Sequence, residues 1–254
     1  MKDPLFSIIS VLKNNHSTFI KMKESLSRQS FKNYEHLIIL SNNIRDKTEE
    51  LVEKFKCEKT IVYYERTRTY NKFDAINQGI QKINGRYLII LHGDDYFSNN
   101  NCLENLSEFF KKNPEKGIFY SDIKFVNKDY EISRVWKCKK ESEIKLANAW
   151  SIPHTGITYD TKKIKNIDLQ YSIKNFISGD LDYILNLYKK YRYLFKYTGF
   201  EIMTMLNTGD SSKFSNVYKQ FKQDIEILKK YHPYSFIFIT IYKRLYKIKQ
   251  FFLN

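Results

Sequence analysis

Short apolar, β-branched runs alternate with segments of helical spacing through the first hundred residues. Leu5–Val11, Tyr34–Leu40, Thr60–Tyr64 and Tyr87–Leu91 are continuous enough for strands covered on both faces. Between them, Phe19, Met22 and Leu26 recur at helical spacing, as do Leu51, Val52 and Phe55. Phe73, Ile76, Ile80 and Ile83 mark a third helix, with Gly85 read as its stop. Strand and helix in alternation imply βαβ units and a mostly parallel sheet. The pattern then changes. A helix over Asn101–Lys112 precedes a strand over Gly117–Ser121 and a hairpin within Ile123–Lys137, turning at Asn127-Lys128-Asp129. Further helices are expected over Asp180–Tyr191 and Phe214–Tyr231.

A chain of 254 residues is enough for one sizeable α/β core with an appendage. Lys and Arg number 43 against 28 acids, a formal charge of +15 that favours an anionic partner: nucleic acid, a membrane surface or a phosphorylated substrate. Cys57, Cys102 and Cys138 form no C-x-x-C pair, so neither a zinc site nor a disulfide framework is indicated. The opening Met1–Pro4 leads straight into a strand-like run unlike a signal peptide, and no run reaches 18 apolar residues. A cytoplasmic setting is expected, at the inner face of the membrane if the tail binds there.

Three polar clusters carry the candidate chemistry. His92-Gly93-Asp94-Asp95 ends the fourth apolar run, and ligands of open parallel sheets bind beyond the carboxyl ends of strands. Adjacent carboxylates there repel unless a cation is near, and Mg²⁺ or Mn²⁺ would bridge them to phosphate. Asp74-Ala75-Ile76-Asn77-Gln78-Gly79 places Asp74 and Asn77 on one helix face. Ser178-Gly179-Asp180-Leu181-Asp182 sets a carboxylate at a helix start, as a cap or as a base presented from a loop. Each cluster alone has a purely structural alternative.

Together, in order and with fitting gaps, the clusters resemble the family 2 glycosyltransferases over Pro4 to Ser211. Pro4-Leu5-Phe6-Ser7-Ile8-Ile9 is similar to the family's opening strand, and Ser25-Leu26-Ser27-Arg28-Gln29 to its first-helix ending. Ser41-Asn42-Asn43 with Asp46 and Thr48 occupies its second-strand turn, where Asn42 replaces the usual acid. Thr208-Gly209-Asp210-Ser211 looks like a degraded G-G-x-S segment. The resemblance implies a GT-A fold: an α/β domain over residues 1–212 with a mixed sheet, a nucleotide-sugar half (1–100) and an acceptor half (101–212). A basic, aromatic helical extension would follow over 213–254. It implies a nucleotide-diphosphate sugar donor, a glycan or lipid-linked acceptor, and Mn²⁺ or Mg²⁺. Asp94 and Asp95 would hold the metal; Asn42, Asp74, Asn77 and Asp94 would contact the donor. Asp180 falls at the catalytic base, His154 near the acceptor, and Asp182 is the competing base.

The tail Tyr234–Asn254 mixes Phe, Ile, Leu and Tyr with Lys243, Arg244, Lys247 and Lys249. It fits either a packed helix or an interfacial segment meeting anionic headgroups. The rival class, a nucleic-acid-binding protein, draws on the charge and abundant Tyr, but no zinc-finger or RNP signature appears and no nucleic acid is expected. A sugar-nucleotide-binding homologue without transfer is the third reading, against which an intact Asp180 argues.

Overall fold

Alternate residues of the apolar runs go to opposite sides of one sheet. The computed structural model describes residues 3–41, 43–55, 61–67, 71–174, 177–207 and 214–249. Its strands are β1 (Phe6–Leu12), β2 (Tyr34–Ser41), β3 (Ile61–Thr67), β4 (Tyr87–Ile90), β5 (Asp95–Phe97), β6 (Ile118–Val126), β7 (Ile132–Trp136), β8 (Ile157–Asp160) and β9 (Phe195–Leu206). Its helices are α1 (His16–Ser27), α2 (Thr48–Glu53), α3 (Lys72–Ile80), α4 (Cys102–Lys112), α5 (Asn166–Leu169), α6 (Gly179–Tyr191), α7 (Phe214–Tyr231) and α8 (Phe236–Lys249).

The strand order is β3-β2-β1-β4-β8-β6-β9-β5, with β7 added to β6. The first four strands are parallel throughout, as βαβ units require. Beyond them β8 runs antiparallel to both β4 and β6, while β6 and β9 pair in parallel. The parallel expectation therefore describes the first half of the sheet, and the second half is mixed. In β1, Phe6 and Ile8 face α1 and α4, while Ile9 faces α3 and α6. In β4, Tyr87 and Ile89 join the first face and Leu88 and Ile90 the second. Helices thus cover both sides of the sheet.

The third helix stops earlier than its spacing predicts. α3 ends at Ile80, so Ile83 and Gly85 lie past it. Gly85 answers a different need: a Cβ there would come within 2.6 Å of the Ser7 backbone nitrogen in β1. Buried Glu35 accepts from Ser7 Oγ and from the Gly85 N–H, which ties this crossing to β2.

α7 and α8 pack on the core through one face each. Ile227, Leu228 and Ile239 share a buried cluster with α6. Trp150 meets the Tyr242 and Tyr246 rings edge-on at 5.9 and 5.4 Å. Lys243 Nζ donates to Asp224 at 2.9 Å, joining the two helices.

Candidate active site

The turn after β4 sits where β1 also ends. Leu91 N donates to Ile9 O, and Thr18 Oγ1 donates to Gly93 O at 2.7 Å. A Cβ on Gly93 would lie 2.4 Å from Leu12 Cδ2 and 2.7 Å from Asn15 Cγ, so only glycine lets the turn rest there. Asp95 N donates to His92 O, which turns the chain into β5. The Asp95 carboxylate is fully buried, and neither oxygen has a hydrogen-bond partner. Burial first, then the neighbouring Asp94 charge, pushes its pKa well above the carboxylate range, while Lys72 works the other way. Asp94 beside it is half-buried. An isolated buried carboxylate is costly unless a cation answers it.

Across the site stands Asp180, on the first turn of α6 with its side chain about a third exposed. Its Oδ1 accepts from Leu181 N at 2.9 Å, and Oδ2 faces His154 Nδ1 at 3.6 Å. Burial raises the Asp180 pKa, but His154 once protonated at acid pH, the charges of Lys72 and Lys243 and the Leu181 N–H outweigh it, so the net shift is downward. The group is ionised at neutral pH. The His154 ring lies 5.8 Å from that of His92. Burial pushes the His154 pKa down to about 4 and that of His92 well below its usual value, so both imidazoles are neutral. The Nε2 atom of each is buried without a partner. Asp180, His154 and His92 follow one another in space, and the chain leads from His92 through Gly93 to Asp94 and Asp95.

Lys72 completes the cluster. Its charge acts on His92, Asp95, His154 and Asp180 alike. It occupies the first position of α3, where a cation opposes the helix dipole. That misfit is the signal that could have drawn attention to it. His92 was visible in the motif but carried no assigned role.

The other candidates are placed differently. Asn77 does not face the cleft: its Nδ2 donates to Tyr171 O at 2.8 Å and its Oδ1 accepts from Tyr171 N at 2.7 Å. Both ends of the amide are engaged in this clasp, which gives Asn77 a structural task. Phe73, Tyr171 and Tyr183 stack beside it, with centroids 5.3 and 3.8 Å apart. Ala75 is buried, and Gly79 lies so close to Ile9 that a Cβ would come within 2.9 Å. Much of the Asp74–Gly79 run is therefore a packing motif. Asp74 itself is half-buried in the first turn of α3, capped by Asn71. Asp182 is engaged by Lys230 Nζ at 3.0 Å and Tyr231 OH at 2.9 Å, so it ties α6 to α7 instead of serving as a second base. Asn42 and the Thr208–Ser211 segment lie outside the described residues. Asp46 accepts from His16 N and Thr48 N, and Thr48 Oγ1 accepts from Asn15 N at 2.7 Å. The loops after β1 and β2 are thereby knitted together.

The sequence profile of the family described as Glycosyl transferase family 2 matches residues 7–173. The chain belongs to glycosyl transferase family 2. The matched span includes Lys72, His92–Asp95 and His154, and it stops short of Asp180. An uncharacterised glycosyltransferase of Methanocaldococcus jannaschii is 25% identical over 199 residues, covering 74% of this chain and 68% of the relative. A PGL/p-HBAD biosynthesis glycosyltransferase of Mycobacterium tuberculosis is 25% identical over 126 residues, 48% of each chain. Among solved structures, Staphylococcus aureus TarS in complex with UDP-GlcNAc superposes with a TM-score of 0.68 at 16% identity, over 88% of this chain and 65% of TarS 1-349. The mannosyltransferase PcManGT of Pyrobaculum calidifontis, in complex with GDP-Man and Mn²⁺, gives 0.61 at 11% identity, over 91% and 64%. This family 2 chain thus has the GT-A fold and spans about two thirds of those solved chains.

Proposed function

We propose that this family 2 member moves a sugar from a nucleotide-diphosphate donor to a hydroxyl of a glycan or lipid-linked acceptor, inverting the anomeric centre, in surface polysaccharide synthesis. The observation that carries the reading is the opposition of two carboxylate environments in one cluster. Asp95 is buried and unpartnered beside Asp94; Asp180 is ionised and partly open. The nucleotide sugars held by the solved relatives support the donor class.

Among the described residues no three His, Cys, Asp or Glu side chains gather as a complete metal site. Asp94 and Asp95 fit a divalent ion that takes its remaining ligands from phosphate and water, as Mg²⁺ and Mn²⁺ do. Such an ion would offset the charge gathering on the leaving diphosphate. Lys72 adds a fixed positive charge to the same region. Asp180 accepts the proton of the acceptor hydroxyl as that oxygen attacks the anomeric carbon, from the face opposite the leaving diphosphate. Neutral His154, with Nδ1 turned to Asp180, lies at the acceptor side. Asp74, on the first turn of α3, is kept as a donor contact.

A thermal-shift screen of UDP- and GDP-sugars, with and without Mn²⁺, tests the reading. A donor at a hundred times its Kd should stabilise the fold by about 2.7 kcal/mol. One nucleotide class is expected to act, and only with the metal. No shift from any nucleotide sugar would overturn it.

The α8 helix supports a lipid-linked acceptor. No helix among the described residues is long and apolar enough to cross a membrane. Beside the face that packs on Trp150, Ile237, Phe238, Ile241 and Leu245 are exposed, Phe238 by 76%, with Tyr234 preceding them. These positions fall within roughly 100° of the helix circumference. Beside the ridge, Arg244 lies over the Phe221 ring and 3.9 Å from Asp224, so the apolar side chains carry the membrane reading. Phe238→Glu with Ile241→Glu leaves the packed face alone. It should abolish flotation with anionic liposomes at low salt while transfer to a soluble acceptor stays within about twofold. Undiminished flotation would remove the membrane from the reading.

A further inference from the structure

Asp180 sits on the first turn of α6, where backbone N–H groups have no partner within the helix. Asn71 solves this problem for α3 with its own side chain, accepting from Phe73 N and Asp74 N. Ser178, at the same place in α6, makes no side-chain cap. Its hydroxyl points instead to Gln220 O in α7, at 3.5 Å. The N–H groups of Ile177 and Ser178 converge on a single atom, Gln223 Oε1 of α7, at 3.2 and 3.1 Å. Only the amide oxygen can accept, so these two donors fix which way the Gln223 side chain is turned. On the far side of Asp180, Asp182 is held by Lys230 and Tyr231. Residues 223 and 230 are two turns apart on one face of α7, about 10 Å along its axis. The helix therefore grips the chain both before and after Asp180. From the sheet side, Gly179 presses on the Phe73 ring, where a Cβ would come within 2.6 Å of Cε2.

We infer that α7 is a strut that fixes the aim of the Asp180 carboxylate, and that Gln223 is a positioning residue for the transfer reaction. The inference rests on Asp180 acting as the base. Gln223 reaches neither Asp180 nor the acceptor; it holds the backbone at Ile177 and Ser178, two and three residues ahead of Asp180. Without it, two part-buried N–H groups lose their acceptor and the start of α6 is released. A reacting group displaced by about 1 Å can lose up to roughly 100-fold in rate.

The test is a cycle of Gln223→Met, which keeps length but removes the acceptor, with Asp180→Asn. Donor Kd, kcat and melting temperature are read for each variant. Gln223→Met should lower kcat by roughly 10- to 100-fold, with donor Kd unchanged. In the Asp180→Asn background the same change should have almost no further effect, because the group being aimed is gone. Gln223→Glu, whose carboxylate can still accept both N–H bonds, should recover most of the rate. Equal losses in both backgrounds, or no loss from Gln223→Met, would overturn the inference while leaving the base intact. Wild-type turnover by Asp180→Asn alone would overturn the base and the strut together. If Gln223→Met fails to fold, Gln223→Glu decides: folded with kcat reduced tenfold or more, it also overturns the assignment.

Discussion

Asp180→Asn is expected to bind the donor normally and to lose roughly 10²–10⁴-fold in transfer, the scale of general-base catalysis. Asn is nearly isosteric, and the Leu181 N–H that Oδ1 now accepts can be accepted by the amide oxygen. Asn is also as good a helix cap as Asp, so a structural role alone would leave the variant close to wild type. Asp182→Asn gives the contrast. That carboxylate meets Lys230, which is largely exposed, and Tyr231. Losing the charge should cost about 1 kcal/mol of stability, seen as a lower melting temperature, with turnover barely changed. Single-turnover rates and donor titrations for both variants check the pair. A dead Asp182→Asn beside an active Asp180→Asn would reverse the assignment.

Asp95→Asn should have effects of opposite sign with and without metal. In the metal-free protein a buried, unpartnered carboxylate is destabilising once ionised. Its folded pKa is raised, so the stability contributed by the protonated form is present below the unfolded value and is lost as pH rises through the folded one. Replacing it with a neutral amide should therefore add about 1–3 kcal/mol of stability at alkaline pH, seen as a higher melting temperature, and do little at pH 3–4. With Mn²⁺ and donor present the order should invert. The native protein gains stability by linkage, and the variant loses the ion's ligand. Calorimetry at acid and alkaline pH, with and without Mn²⁺ plus donor, reads both effects. A variant that keeps the full metal-dependent gain would remove Asp95 from the metal site.

What the sequence made legible follows from where the information is local. β1, β2, β4, α4 and α7 stand within a residue or so of their expected places, because uniform apolar runs and helical spacing are written in neighbouring positions. The twelve-residue β9 went unread. Gly199 interrupts it at φ 82°, its register against β6 shifts near Asp122, and Lys196 and Glu201 dilute its apolar pattern. β5 and β8 are three and four residues long, too short to show a period. In the site, Asp94, Asp95 and Asp180 were readable as acids at element ends. Lys72 was not, because one Lys among so many looks like solvated surface. The task of Asn77 was invisible because its partner, Tyr171, is 94 residues away.

That clasp limits how this enzyme can be recombined. Asn77 lies within residues 1–100 and Tyr171 within residues 101–212, and their amide-to-backbone pairing is reciprocal. The Phe73–Tyr171–Tyr183 stack crosses the same seam. A chimera that joins residues 1–100 to the corresponding second part of another family member would keep the α3 side of the seam and exchange its opposite side. Any incoming segment must therefore present a backbone N–H and C=O to Asn77 and a flat ring to Phe73. The second part of the chain can be exchanged between family members only as fast as this seam is exchanged with it.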